Sequence, residues 1–201
     1  DAAARAWASP QCTQHRYFDV YAASKAPPEH APWKALRESG AELVVNTVAQ
    51  DSNSGPCLVP SHRSKTCKII HDARKHSNGS GLRPFTNDGY RWLVDVRDTA
   101  SLRVVGLLDS ILENMRLLGH AHECSGHQLV RLFMQHGQKN SLGREVKPDL
   151  PGGWLCIDAG DTSRSLHRLG KQSWVTKDYT LGRNLLDSRR RTNLDHSKAG
   201  S

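Results

Sequence analysis

Apolar residues recur at three- and four-residue steps in "DTASLRVVGLLDSILENMRLLG", where Val104, Leu108, Ile111, Met115 and Leu118 line up. That spacing predicts one long amphipathic helix over 98–118, capped by Asp98 or Thr99 and ended by Gly119. A second helix is expected from near Ser125, with Leu129, Val130, Leu132 and Phe133 as its apolar positions and Gly137 as its stop. Trp92, Val94 and Val96 alternate with polar partners, the period of a half-buried strand. Trp33 to Ser39 predicts a short helix stopped by Gly40, and Leu43 to Val48 a strand. Later, "GGWLCID" (152–158) and "QSWVTKDYT" (172–180) read as strands, with a turn at "DAGD" (158–161) between them.

Between these elements the pattern fades. Residues 1–32 are Ala- and Pro-rich, punctuated by Pro27, Pro28 and Pro32. Residues 51–90 are loop-like and basic, and no internal repeat is present. The expected organisation is a loop-rich region over 1–90, a core over 91–186 and a basic tail over 187–201 carrying Arg189, Arg190 and Arg191. Helices followed by strands point to an α+β fold.

Composition narrows the picture only a little. At 201 residues, 37% hydrophobic and 6% aromatic, with a mean hydropathy of −0.61, the chain suits one modest core with long loops. A net charge of +8 and a pI near 9.5 favour a polyanionic surrounding: nucleic acid, an anionic membrane face or an acidic wall polymer. No apolar run approaches the length of a membrane span. A first residue of Asp rather than Met suits a processed chain and an arbitrary boundary equally. The five cysteines (Cys12, Cys57, Cys67, Cys124 and Cys156) allow two disulfides and one thiol in an exported protein, or five thiols in a reducing compartment. Asn78-Gly79-Ser80 matches a glycosylation sequon.

The densest chemistry lies in "HAHECSGHQLVRLFMQHG", residues 120–137. Cys124 would stand at the N-terminal end of a helix over Ser125–His136, where unpaired N–H groups and the dipole favour a thiolate. Ser125 and Gly126 leave its approach open, and its backbone N–H could serve an oxyanion. A nucleophilic thiolate needs a base, and His167, in "DTSRSLHRLG", is the candidate.

Here "ECSGHQLVRLFMQHG", "DLPGGWLCIDAGD" (149–161) and "SLHRLG" (165–170) together resemble the NlpC-type, papain-like cell-wall cysteine peptidases over roughly 122–180. The chain departs from that pattern at Gly152-Gly153, where the family has Gly-Asp, and ahead of Cys124, where the family has an aromatic segment. The resemblance implies a papain-like α+β fold, with a nucleophile helix packed on a small antiparallel sheet. It implies cleavage of a peptide or amide bond in peptidoglycan stem peptides through a thioester. Cys124 would be the nucleophile, His167 the base and Asp178, beside Tyr179, the orienting group. It implies no cofactor, and a secreted or cell-envelope location.

Two alternatives stand beside it. His120, His122, Cys124 and His127 could bind zinc in a hydrolase, although His122 and His127 are five apart rather than the four of a zincin helix. A basic, non-catalytic protein could instead hold nucleic acid or another polyanion. Cys57, Cys67, His71 and His76 sit among Arg63, Lys65, Lys68, Arg74 and Lys75, and a Cys57–Cys67 disulfide or a solvated loop is the plainer account of them.

Overall fold

Three prolines do not break the first helix. In a computed structural model, described over residues 17–40, 42–57, 59, 66, 91–135 and 159–186, α1 runs from Tyr17 to Glu38 through Pro27, Pro28 and Pro32. Each proline removes one helical N–H. The carbonyls four residues back lose their donors, and two of them belong to Ser24 and Pro28, which are exposed to water. The short helix expected over 33–39 is the final turn and a half of this element, through Glu38, and Gly40, at φ +59°, follows its end.

The chain divides into two units, Asp1–Thr47 with Asp109–Arg116, and Val48–Leu108 with Leu117–Ser201. In the first, asparagine side chains tie 42–47 to the 109–116 loop. Asn46 donates to Leu112 O at 2.7 Å and accepts from Met115 N at 2.8 Å, while Asn114 accepts from Val45 N at 3.0 Å. Asn114 adopts φ +58°, a conformation Asn reaches more easily than most side chains.

The second unit holds the core. After β1 (Thr47–Gln50) come β2 (Ser52–Ser54) and β3 (Arg91–Asp95), then α2 (Val96–Leu108), β4 (Arg116–Gly119) and β5 (His122–Cys124). Three helices follow: α3 (Gly126–Gln135), α4 (Ala159–Arg168) and α5, over 177–186. β1 pairs with β4, and a second sheet has the order β2–β3–β5. In it Ser52, Asn53 and Ser54 lie parallel to Leu93, Val94 and Asp95, and β5 runs antiparallel to β3. A parallel pair needs a crossover connection, and β2 and β3 are separated by more than thirty residues. The expected small antiparallel sheet is therefore a mixed one. The core gathers Leu93, Val94, Leu102, Leu117, Leu129 and Leu132, with Leu181 and Leu185 of α5 fully buried.

The long helix expected over 98–118 stops ten residues short. Asp109 folds back, its carboxylate accepting from Ile111 N at 3.0 Å and its carbonyl from Leu112 N at 3.0 Å. Arg116–Gly119 then extends as β4. Val104, Leu108 and Ile111, the expected buried stripe, are exposed, whereas Asp98, Thr99 and Leu102 are buried. Residues 172–180 are likewise a turn entering a helix. Thr176 caps α5, its hydroxyl accepting from Tyr179 N at 3.4 Å and its carbonyl from Thr180 N at 3.0 Å. "DAGD" enters α4 rather than a strand-linking turn, and the strand expected over 152–158 lies outside the described residues.

Gly55 closes the corner after β2. It sits at φ +137°, and a Cβ there would meet Val96 Cγ1 at 2.9 Å and Asp95 Oδ2 at 3.2 Å. Gly55→Ala is therefore expected to destabilise the protein by about 1–3 kcal/mol, through backbone strain and displacement of a buried carboxylate. Urea unfolding of the variant measures this.

Candidate functional site

Cys124 is the last residue of β5 rather than the first of a helix. Ser125 caps α3 instead: its hydroxyl accepts from Gln128 N at 3.2 Å, and the Gln128 side chain accepts from Ser125 N at 3.4 Å. This reciprocal capping box meets the backbone donors that a thiolate would have used. The Cys124 thiol is buried and points at the carbonyl of Ser125, 3.6 Å away. His167 is exposed in the last turn of α4, not on a strand. Its carbonyl accepts from Gly170 N at 2.9 Å within the turn that ends the helix. Asp178 is exposed in the first turn of α5, with Tyr179 exposed beside it.

The histidines ahead of Cys124 have other occupations. His120 is buried, with its ring edge-to-face to Trp92 at 6.2 Å and 81°. His122 Nε2 lies 2.9 Å from Val175 O, bonding β5 to the turn before α5. Among the described residues no group of three or more His, Cys, Asp or Glu could hold a metal ion. The side chain of His127 and residues Cys12, Cys67, Cys156, His71 and His76 lie outside them. Cys57 carries a thiol directed at Val59 O, 3.7 Å away, so of the two plain accounts of that stretch the Cys57–Cys67 disulfide is not formed.

Two constellations stand out instead. In the first unit, Tyr21 and Lys25 are four residues apart on α1 and therefore share a face. The Lys25 ammonium stands over the Tyr21 ring, 5.1 Å from its centroid. Both side chains are exposed, Tyr21 at 45%. Ser24, between them, donates to Tyr21 O at 2.7 Å. The phenol ring and the ammonium thus share one exposed stretch of the helix. "YAASK" carried this signal in the sequence as a tyrosine and a lysine at helical spacing, but the prolines after it disguised the helix.

In the second unit, the β3–α2 corner buries two carboxylates. Asp95 accepts from Arg97 Nε and Nη2, both at 2.7 Å, from Arg97 N at 2.9 Å and from Thr180 Oγ1 at 2.8 Å. Burial alone would push its carboxyl up. The hydrogen bonds from Arg97 and Thr180, with the guanidinium charge, outweigh burial and hold it below the ordinary aspartate range. In turn the hydrogen bonds to Asp95 push the Arg97 guanidinium up, and its Cζ lies 5.0 Å from the centroid of the Tyr179 ring. Asp98, wholly buried, accepts from Lys171 Nζ at one oxygen and from Val175 N at 2.9 Å at the other. These groups satisfy each other and anchor the 171–180 segment. Their arrangement is structural, whereas the Tyr21–Lys25 pair faces solvent.

Comparison with known proteins gives the fold its context. No family model matches the chain. It is 29% identical, over 97% of its length, to 52% of the NAD-dependent epimerase/dehydratase tndE of Aspergillus flavipes. It is 30% identical, over 65% of its length, to 38% of the NAD-dependent epimerase/dehydratase terH of Aspergillus terreus. The chain thus spans about half the length, or less, of the curated relatives it matches. Among solved structures, Gre2 from Candida albicans superposes with a TM-score of 0.67 at 19% identity, covering 92% of this chain and 56% of that one. The yeast methylglyoxal/isovaleraldehyde reductase Gre2 complexed with NADPH gives 0.65 at 15%, covering 92% and 55%. These likenesses overturn the papain-like fold. With it go the thiol peptidase function, the peptidoglycan and polyanion partners, and the zinc hydrolase. The chain has the fold of about half of a Rossmann-like reductase or epimerase.

Proposed function

We propose that this chain is the proton-transfer part of an NAD(P)-dependent oxidoreductase, of the reductase or epimerase/dehydratase type, acting on a carbonyl or hydroxyl carbon of a small molecule. The observation that carries the proposal is the exposed Tyr21 phenol with the Lys25 ammonium 5.1 Å from its ring centroid. The names of the matched relatives and the NADPH held by a structural neighbour support it. The donor set fits one end of a nicotinamide nucleotide. An ammonium with three N–H donors and a phenol, both exposed on one helix face, suit the hydroxyls of a ribose and a carbonyl oxygen.

When bound, a nicotinamide supplies or accepts the hydride. The protein's own residues handle the proton. As a substrate carbonyl becomes an alkoxide, the Tyr21 hydroxyl gives its proton to the oxygen, leaving a hydroxyl on the product. The charge then left on the phenol oxygen is stabilised by the Lys25 ammonium. In the oxidising direction the same oxygen takes the proton back. Lys25 also donates to a bound hydroxyl and so fixes where the reacting carbon lies.

The test is consumption of NADPH or NADH with a panel of small aldehydes and ketones, read by nicotinamide absorbance. Wild-type protein is expected to turn over at least one of them, and Lys25→Met to lose about tenfold to hundredfold of that rate. If neither cofactor binds by calorimetry and none is consumed, the proposal fails.

A further inference from the structure

Lys25 has a competing partner on its own helix. Tyr21, Lys25 and Glu29 follow one another at four-residue steps along α1, so the ammonium can turn toward the phenol on one side or a carboxylate on the other. Only one of these arrangements leaves the cation beside Tyr21. The structure shows what occupies the carboxylate: Arg116 Nη2 lies 2.8 Å from Glu29 Oε1.

We propose that Arg116 is a positioning residue for the Tyr21–Lys25 pair, holding Glu29 so that Lys25 stays over the Tyr21 ring. The catalytic consequence rests on the proton-transfer reading above, but the geometric claim does not. Arg116 opens β4, and the backbone just before it is fixed. Thr47 N donates to Met115 O at 2.9 Å, and Met115 N donates to the Asn46 side chain at 2.8 Å. Asn114, at φ +58°, accepts from Val45 N one residue earlier. The guanidinium is thus delivered to α1 from a pinned loop of the same unit. It is also the better carboxylate partner, since its planar donor fork loses less freedom per hydrogen bond than an ammonium on a flexible stem. A lysine ahead of a glutamate at this spacing is the weaker order of an ion pair in a helix. With Arg116 in place Glu29 is satisfied, and Lys25 follows the ordinary lean of helical side chains toward the N-terminus, onto Tyr21.

The reporter is the Lys25 ε-methylene resonance, which the Tyr21 ring current moves upfield when the ammonium sits over the ring. In the wild-type chain the shift is expected in full. Arg116→Gln frees Glu29 to draw Lys25 away, and an ion pair of this kind redistributes the lysine about twofold, removing about half of the shift. Arg116→Lys retains most of it. The double variant Arg116→Gln, Glu29→Gln restores it. Turnover follows the same order, falling about twofold in Arg116→Gln and recovering in the double variant, which a merely structural arginine would not do. An unmoved Lys25 resonance in a folded Arg116→Gln protein overturns the proposal, and so does failure of the double variant to restore it. If the resonance moves as described while Tyr21→Phe keeps full turnover, the positioning of Lys25 stands and the proton-transfer reading falls.

Discussion

Tyr21→Phe removes one oxygen atom and is expected to cut nicotinamide-dependent turnover by about a hundredfold to ten-thousandfold, the usual contribution of a positioned acid or base. That corresponds to about 3–5 kcal/mol of barrier. The cause is chemical, not structural. Tyr21 is 45% exposed and its ring contact with Lys25 survives in phenylalanine, so stability should change by less than about 0.5 kcal/mol. The α1 backbone is also unaffected, because Ser24 bonds the Tyr21 carbonyl, not its hydroxyl. Turnover and thermal midpoint measured on the same preparation separate the two effects. Unchanged turnover would mean that the proton travels by another group. A loss accompanied by a lowered midpoint would mean that the hydroxyl has a structural partner.

Asp95→Asn is expected to have the largest effect on stability, about 2–4 kcal/mol. Four donors converge on this carboxylate: Arg97 Nε, Nη2 and N, and Thr180 Oγ1. An asparagine side chain has one acceptor oxygen and turns an NH2 toward two of them, because each Asp95 oxygen accepts two of the four. The Asp95 side chain has no exposure, so water cannot make up the loss, although Arg97, 41% exposed, can partly rehydrate. Urea unfolding of the variant reads the cost directly. The wild-type protein should show the same dependence through pH. Because the folded carboxyl is held below its ordinary range, its contribution is fully present above the unfolded value, near 3.9, and is lost as pH falls through the lower folded value. The wild-type midpoint should therefore fall more steeply below about pH 4 than that of Asp95→Asn. Parallel acid profiles would show that Asp95 is not the group responsible.

Local chemistry was legible in the sequence wherever one side chain decides the backbone. Ser125 followed three residues later by Gln128 marks the start of α3, and the apolar Leu129 and Leu132 mark its buried face. Trp92 and Val94 announced β3. Periodicity misled where apolar residues were dense. Val104, Leu107, Leu108 and Ile111 satisfy a helical stripe, yet they are exposed, and the residues that α2 buries are Asp98, Thr99 and Leu102. The pattern cannot show that two of those are polar groups satisfied by partners more than forty residues away, Asn53 and Lys171. The same blindness hid Tyr21 and Lys25. Prolines count against a helix in any single sequence, and only the folded chain shows α1 continuing through them. Cys124 misled in the opposite way. Its flanking residues imitate a nucleophile, but Gln128 and Ser125 had already committed the helix start to each other.

The ties on the final described helix and the turn before it also bear on how the protein is made. Thr180 reaches Asp95, Val175 reaches both Asp98 and His122, and Lys177 reaches Gln128, across 49 to 85 residues of chain. Leu181 and Leu185 complete the same interior. During synthesis the nascent segment up to Gln135 thus leaves the ribosome with Asp98 still lacking Lys171 and Val175, and with Asp95 held by Arg97 alone, because the remaining partners have yet to be translated.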